Sequence, residues 1–223
     1  MVRTAILVDG GFYRKRAKTI KGNLSGEERA RELFKYCMSH INSTAHDEKQ
    51  SLYRIFYYDC KPLDNRSVFH PLSRKNINLG KQDSYTWMIS MLNELRRTRK
   101  VALRLGELSP TSNYNLKASV TKDLFLHKIK LEDVNETDFE LNLKQKGVDM
   151  KIGLDIASLA YKKQVDRIIL VAGDSDFVPA AKLARREGID FILDPMWSKI
   201  NDNLFEHIDG LTSVWPDPSK GSK

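Results

Sequence analysis

The chain has 223 residues, with 37 Lys and Arg against 29 Asp and Glu, a formal net charge of +8 and a pI near 9.4. Its 41% hydrophobic residues suffice for a sizeable core, which excludes a disordered chain, and no apolar run approaches the length needed to cross a bilayer. Two cysteines, Cys37 and Cys60, are too few for a disulfide framework or a zinc cluster, and the N-terminal residues lack a secretory h-region, so a cytoplasmic setting is expected.

Residues 4–8 form a short β-branched and apolar run stopped by Asp9-Gly10-Gly11, the pattern of a buried strand that ends in a tight turn and presents Asp9 at its carboxyl end. After a Gly-containing linker at 21–26, Ala30, Leu33, Phe34, Cys37, Met38 and Ile41 recur at helical spacing and predict an amphipathic helix over 28–41. Residues 52–58 read as a second strand. Trp87, Met88, Met91, Leu92 and Leu95 form another helical stripe, and a charged turn at 96–100 leads into a strand at 101–105. The pattern breaks over 107–146, read as a β-rich insertion near the sheet edge in which 124–129 and 139–143 pair antiparallel. Regularity returns with a helix over 150–163, a buried strand at 167–172, a helix over 178–186 ended by Gly188, a strand at 189–193 and a short helix over 201–208. The expected fold is α/β, with a central, mostly parallel sheet of about five strands and helices on its faces. One domain is expected over 1–210, followed by a polar tail over 211–223.

The segment from Leu170 to Phe177 places Asp174 and Asp176 between a buried strand and a helix. In open α/β sheets ligands bind at the carboxyl edge of the strands, and Asp9 arrives at that edge from the first strand if the two run parallel. Lys146-Gly147-Val148-Asp149 brings a fourth acid, Asp149, to the start of the next helix. Converging carboxylates repel one another and lose hydration, so they call for a cation. Oxygen donors without His or Cys suit Mg²⁺ or Mn²⁺, whose natural chemistry on a phosphate-bearing substrate is phosphodiester hydrolysis.

These residues resemble the NYN-domain proteins, specifically the LabA-like bacterial group of the PIN-like metal-dependent nuclease superfamily. The resemblance lies in Ile6–Gly11 as first strand and acid, in Lys146-Gly147-Val148-Asp149 with Asp155 as the Lys-Gly-Val-Asp helix signature, and in Leu170–Phe177 with Val178-Pro179 as the Gly-Asp-Ser-Asp-Phe box. It implies a PIN-like three-layer α/β/α fold and endoribonuclease activity on RNA, with Asp9, Asp149, Asp174 and Asp176 as metal-binding and catalytic acids. One departure is Phe12, where many relatives carry Asn three residues after the first Asp.

Each acid also has a plainer reading. Asp9-Gly10-Gly11 can be a simple turn; Asp149 can be a helix N-cap, and Asp176 can cap the 178–186 helix. Asp155 lies four residues after Lys151, an ion-pair spacing, and ranks with Ser175 as a supporting rather than a metal-binding residue. Their joint placement at one edge lifts the four acids above these readings. For RNA phosphates the favoured contacts are Lys146 and Lys151, which flank Asp149, with Arg14 and Lys15 behind them. A homodimer through the insertion or the Trp197 region is one candidate assembly. Two competing functions are a non-catalytic RNA-binding or regulatory module, favoured by Phe12, and a haloacid-dehalogenase-type phosphatase, disfavoured by Gly11 two residues after Asp9.

Overall fold

Strand β1 (Val2–Asp9) buries every residue from 4 to 8, as a strand covered on both faces must. The computed structural model describes residues 1–43, 48–64, 66–109, 113–143 and 145–220. Around β1 lie β2 (Gln50–Cys60), β5 (Val101–Leu108), β9 (Arg167–Val171) and β10 (Asp190–Asp194), all parallel to their neighbours. These are the five expected strands. Two short edge strands extend them among the described residues: β11 (Gly210–Leu211), parallel to β10, and β8 (Gln145–Lys146), antiparallel to β5. The order is β11-β10-β9-β1-β2-β5-β8. The chain therefore leaves β1 toward β2 on one side and later fills the other side with β9 and β10, a topological switch beside β1.

Alternation along β1 sorts the core into two layers. Ala5 and Leu7 face α5 (Val148–Tyr161) and α6 (Val178–Arg186), packing with Ile152, Ile156, Ala181 and Ala184. Ile6 and Val8 face α1 (Gly10–Lys21), α2 (Gly26–Ile41) and α3 (Asp83–Arg97), packing with Tyr13, Leu33, Tyr36, Met91 and Leu95. The result is the three-layer α/β/α arrangement expected from the sequence. A capping box on Ser25 and Glu28 starts α2. A buried hub completes this layer: Asp194 accepts hydrogen bonds from Tyr36 Oη, Met196 N (2.8 Å) and Ser213 Oγ (2.8 Å) and lies 2.7 Å from His40 Nε2. Trp215 closes over it, with its ring centroid 4.5 Å from that of Tyr36.

Two local expectations are corrected. The strand does not end in the expected tight turn at Asp9-Gly10-Gly11: α1 starts at Gly10, because the Asp9 carboxylate accepts the Phe12 N–H at 3.1 Å and Tyr13 and Ala17 sink into the core one turn apart. Gly10 permits this start, since a Cβ there would lie 2.6 Å from the Tyr58 carbonyl oxygen. Second, 124–129 and 139–143 do not pair. Residues 124 and 125 belong to α4 (Ala118–Phe125), and β7 (Phe139–Asn142) pairs instead with β6 (Asn113–Leu116). A hairpin of β3 (Ser67–Phe69) with β4 (Asn76–Asn78) stands in the stretch between β2 and α3, which carried no expectation. The 201–208 helix shortens to α7 (Asp202–Phe205). No helix among the described residues is long and apolar enough to cross a membrane.

Candidate active site

Asp9 ends β1 beside Tyr58 of β2, and Val171 of β9 lies opposite Val8, so the chain from Ala172 to Asp176 leaves the sheet next to Asp9. The Asp9 carboxyl is half-buried, and desolvation by burial raises its pKa above the ordinary value. The Asp149 and Asp59 carboxylates push it further up, against the stabilising Phe12 N–H. Asp149, in the first turn of α5, is raised as well, first by desolvation and then by the charges of Asp174 and Asp176. Mutual repulsion thus links Asp9, Asp149, Asp174 and Asp176 into one electrostatic cluster.

The caps differ from expectation. The N-cap of α5 is Gly147, in the left-handed region at φ 77°, and Asp149 makes no hydrogen bond or ion pair among the described residues. Its carboxylate is left available at the site. Asp176 does not cap α6; instead Asp174 Oδ1 accepts the Asp176 N–H at 3.1 Å and turns the chain into a 3₁₀ segment, Ser175–Phe177, that leads into the helix. The side chain of Ser175 lies outside the described residues, as does Lys144. Phe12 packs on this loop: a Cβ on Gly173 would lie 2.5 Å from Phe12 Cε2. The residue that departs from the family pattern therefore abuts the backbone just before Asp174.

Asp155 lies apart from this cluster. Two turns along α5, it accepts hydrogen bonds from Tyr58 Oη and Arg104 Nε, both at 2.8 Å, so its ion pair is with Arg104 rather than Lys151. Arg14 also has a different task from the one expected. It is partly buried, 3.0 Å from Asp59 Oδ2, and donates toward Met88 Sδ. Lys15, Lys146 and Lys151 are exposed and have no side-chain partner among the described residues, which leaves them available to phosphates.

Asp59 is the acid that sequence reasoning missed. It is buried, accepts hydrogen bonds from Tyr57 Oη and the Cys60 N–H at 2.8 Å each, and is raised by desolvation despite the Arg14 guanidinium. The signal was there: Asp59 lies near the end of its strand, one residue past Tyr58, the partner of Asp9, at the same edge. Expecting that strand to stop at Tyr58 hid it.

The donors are oxygen-only carboxylates on three elements around a switch point, in a place where burial and mutual repulsion make added positive charge favourable. That set suits a hard divalent cation. Among the described residues no three His, Cys, Asp or Glu side chains stand close enough together to hold an ion as a ready-made group.

A family model, NYN domain, matches residues 90–209. The chain belongs to the NYN-domain family. NYN domains are part of the PIN-like superfamily, which makes this a nuclease-type domain. The matched part of the NYN domain contains Asp149, Asp174 and Asp176, whereas Asp9 and Asp59 precede it. No curated protein matches the chain. Among solved structures, a protein of unknown function from Vibrio parahaemolyticus is similar at 14% identity and a TM-score of 0.45, covering 94% of this chain and 91% of that one.

Proposed function

We propose that this NYN domain is a divalent-metal-dependent RNA endonuclease of the LabA-like group, working in the cytoplasm with Mg²⁺ or Mn²⁺. The observation that carries the proposal is the electrostatic cluster of Asp9, Asp149, Asp174 and Asp176 at the carboxyl edge of the sheet, with Asp9 and Asp149 both raised by lost hydration and neighbouring carboxylates. Asp9, Asp149, Asp174 and Asp176 would hold the ion. When bound, it supplies an activated water and charge stabilisation for in-line attack on phosphorus.

The chain's own residues prepare that chemistry. The Phe12 N–H fixes one Asp9 oxygen, so the other is the one left to face the cluster. Arg14 pairs with Asp59 beneath the site and offsets part of the charge that Asp59 brings to Asp9. Lys146 and Lys151 flank Asp149 and Lys15 lies on the exposed side of α1, where each can meet a phosphate of the RNA and set its register. Asp155, tied to Tyr58 and Arg104, holds α5 against β2 and β5 and is a positioning residue.

The test is Mn²⁺ binding by calorimetry together with hydrolysis of a mixed RNA pool, for wild type and Asp149→Asn. The proposal expects both to be lost in the variant while its circular dichroism is unchanged. Undiminished Mn²⁺-dependent cleavage by Asp149→Asn would overturn the assignment. RNA binding without any cleavage by wild type would favour the non-catalytic module.

A further inference from the structure

A groove of about 960 Å³ opens next to the acid cluster: Gly11 and Asp59 line it, a Cβ on Gly11 would lie 3.4 Å from Asp9 Oδ1, and the Asp59 charge acts on Asp9. That volume is near the top of the roughly 300–1,000 Å³ range of small-molecule sites, enough for more than one nucleobase. Its near wall is α1 and the start of α3, with Trp87 pinned by a 2.8 Å hydrogen bond from its indole N–H to the Leu24 carbonyl. The far wall comes from two antiparallel strand pairs outside the three layers, β3–β4 with the 3₁₀ turn that follows it, through Ile77 and Leu79, and β6–β7, through Tyr114 and Leu141. His70 clamps the two strand pairs together. Its ring lies 4.8 Å from that of Tyr114 and 5.1 Å from that of Phe139, Nε2 donates to the Glu136 carbonyl, and Nδ1 accepts the Leu72 and Ser73 N–H groups. The wall is thus preformed.

The charges on this groove are unevenly committed. Arg14 is spent on Asp59, and Arg29 on Glu32 and the Gly22 carbonyl. Lys15 and Lys18, one turn apart on α1, have no side-chain partner among the described residues and stand at the rim against Asp83, the one lining carboxylate besides the Arg14-paired Asp59. Apolar and aromatic walls, two free cations on one side and continuity with an acid cluster together match a polynucleotide strand, whose phosphates need cations and whose unpaired bases need flat apolar contact. A paired helix offers its bases to no such groove.

We infer that the groove is a nucleobase subsite in which Tyr85 of α3 and the two strand pairs, through Tyr114, hold unpaired bases of the RNA next to the scissile phosphate, while Lys15 and Lys18 meet the flanking phosphates. Asn23 and Gln145, polar lining side chains without partners among the described residues, are placed to read base edges. The inference rests on the RNA reading of the acid site and adds that this chain selects unpaired substrate through parts outside the shared fold.

The test is fluorescence anisotropy in EDTA, which stops cleavage. Three labelled probes are compared: an unpaired RNA, the same RNA annealed to its complement, and an abasic ribose-phosphate strand of equal length. The unpaired RNA is expected to bind about tenfold or more tighter than either other probe, and Tyr85→Ala and Tyr114→Ala each to remove most of that advantage. Tyr85→Phe should retain it. Tyr114→Ala can loosen the His70 clamp, so Tyr85→Ala, on a regular helix, is the decisive variant. Equal affinity for unpaired and abasic strands, or no effect of Tyr85→Ala, would overturn the subsite. Cleavage is measured separately with Mn²⁺. Cleavage without base preference defeats the subsite alone, and base preference without cleavage defeats the nuclease reading and leaves the subsite standing.

Discussion

Replacing Gly173 with alanine places a methyl group 2.5 Å from Phe12 Cε2 and 3.2 Å from both Cδ2 and Cζ. Carbon atoms pack best at about 3.5–4.0 Å, so the ring or the loop must yield by about 1 Å. The ring has little room, because Phe12 belongs to the first turn of α1, its N–H is bound to Asp9, and it packs against the buried core. The loop therefore takes part of the shift and carries Asp174 with it. Overpacking of this kind costs about 1–3 kcal/mol, and at about 2–4 °C per kcal/mol for a chain of this size it should be visible in a melting curve. A displacement near 1 Å at a catalytic group can cost about 100-fold in rate. The assay pairs thermal unfolding with Mn²⁺-dependent RNA cleavage for Gly173→Ala, Phe12→Leu and the double variant. Because the clash is between these two side chains, the double variant should be more stable than the two single effects sum to. Strict additivity, or full activity in Gly173→Ala, would refute the argument that Phe12 braces the Asp174 loop.

Other consequences follow from burial and charge. Asp149 is raised above its ordinary value of 3.8, so its ionised form costs folding free energy that is absent at low pH and grows as pH rises through the folded pKa. In EDTA, Asp149→Asn should therefore gain stability relative to wild type as pH rises above about 4, measured by urea midpoints, and a gap that shrinks with pH would contradict the repulsion argument. Mn²⁺ must displace protons from Asp9 and Asp149, so calorimetric affinity should begin to fall, on acidification, above the ordinary carboxylate range; a loss confined to pH below that range would count against the cluster. Asp194→Ala strips acceptors from Tyr36, Ser213 and the Met196 N–H in a fully buried place and should cost at least about 3 kcal/mol, at about 1–3 kcal/mol for each stranded donor, whereas a melting temperature near wild type would show that the hub is not structural.

The five parallel strands and the helices α2, α3, α5 and α6 were legible because their apolar residues repeat cleanly at strand or helix period. Helix α1 was not, since Arg14, Lys15, Arg16 and Lys18 dilute its buried face to Tyr13, Ala17 and the partly buried Ile20. Within the 107–146 stretch, alternation at 124–129 competed with helix formation and lost, while β6 found its partner in β7. Asp9, Asp174 and Asp176 could be located from strand ends, and Asp149 from the start of the following helix. What the sequence hid was the second tier: Asp59 with Arg14, Asp155 with Tyr58 and Arg104, and Phe12 on Gly173 all join residues distant in the chain or on facing elements. The groove was hidden for the same reason, since its walls come from segments on both sides of α3.

The most direct measurement of the central claim is RNA cleavage by wild type and Asp174→Asn, each shown to be folded, in Mn²⁺, Mg²⁺ and EDTA. The account predicts cleavage by wild type with either metal, none in EDTA and none by Asp174→Asn. Cleavage that persists in EDTA or in Asp174→Asn would contradict it, as would a folded, metal-binding wild type that cleaves no RNA.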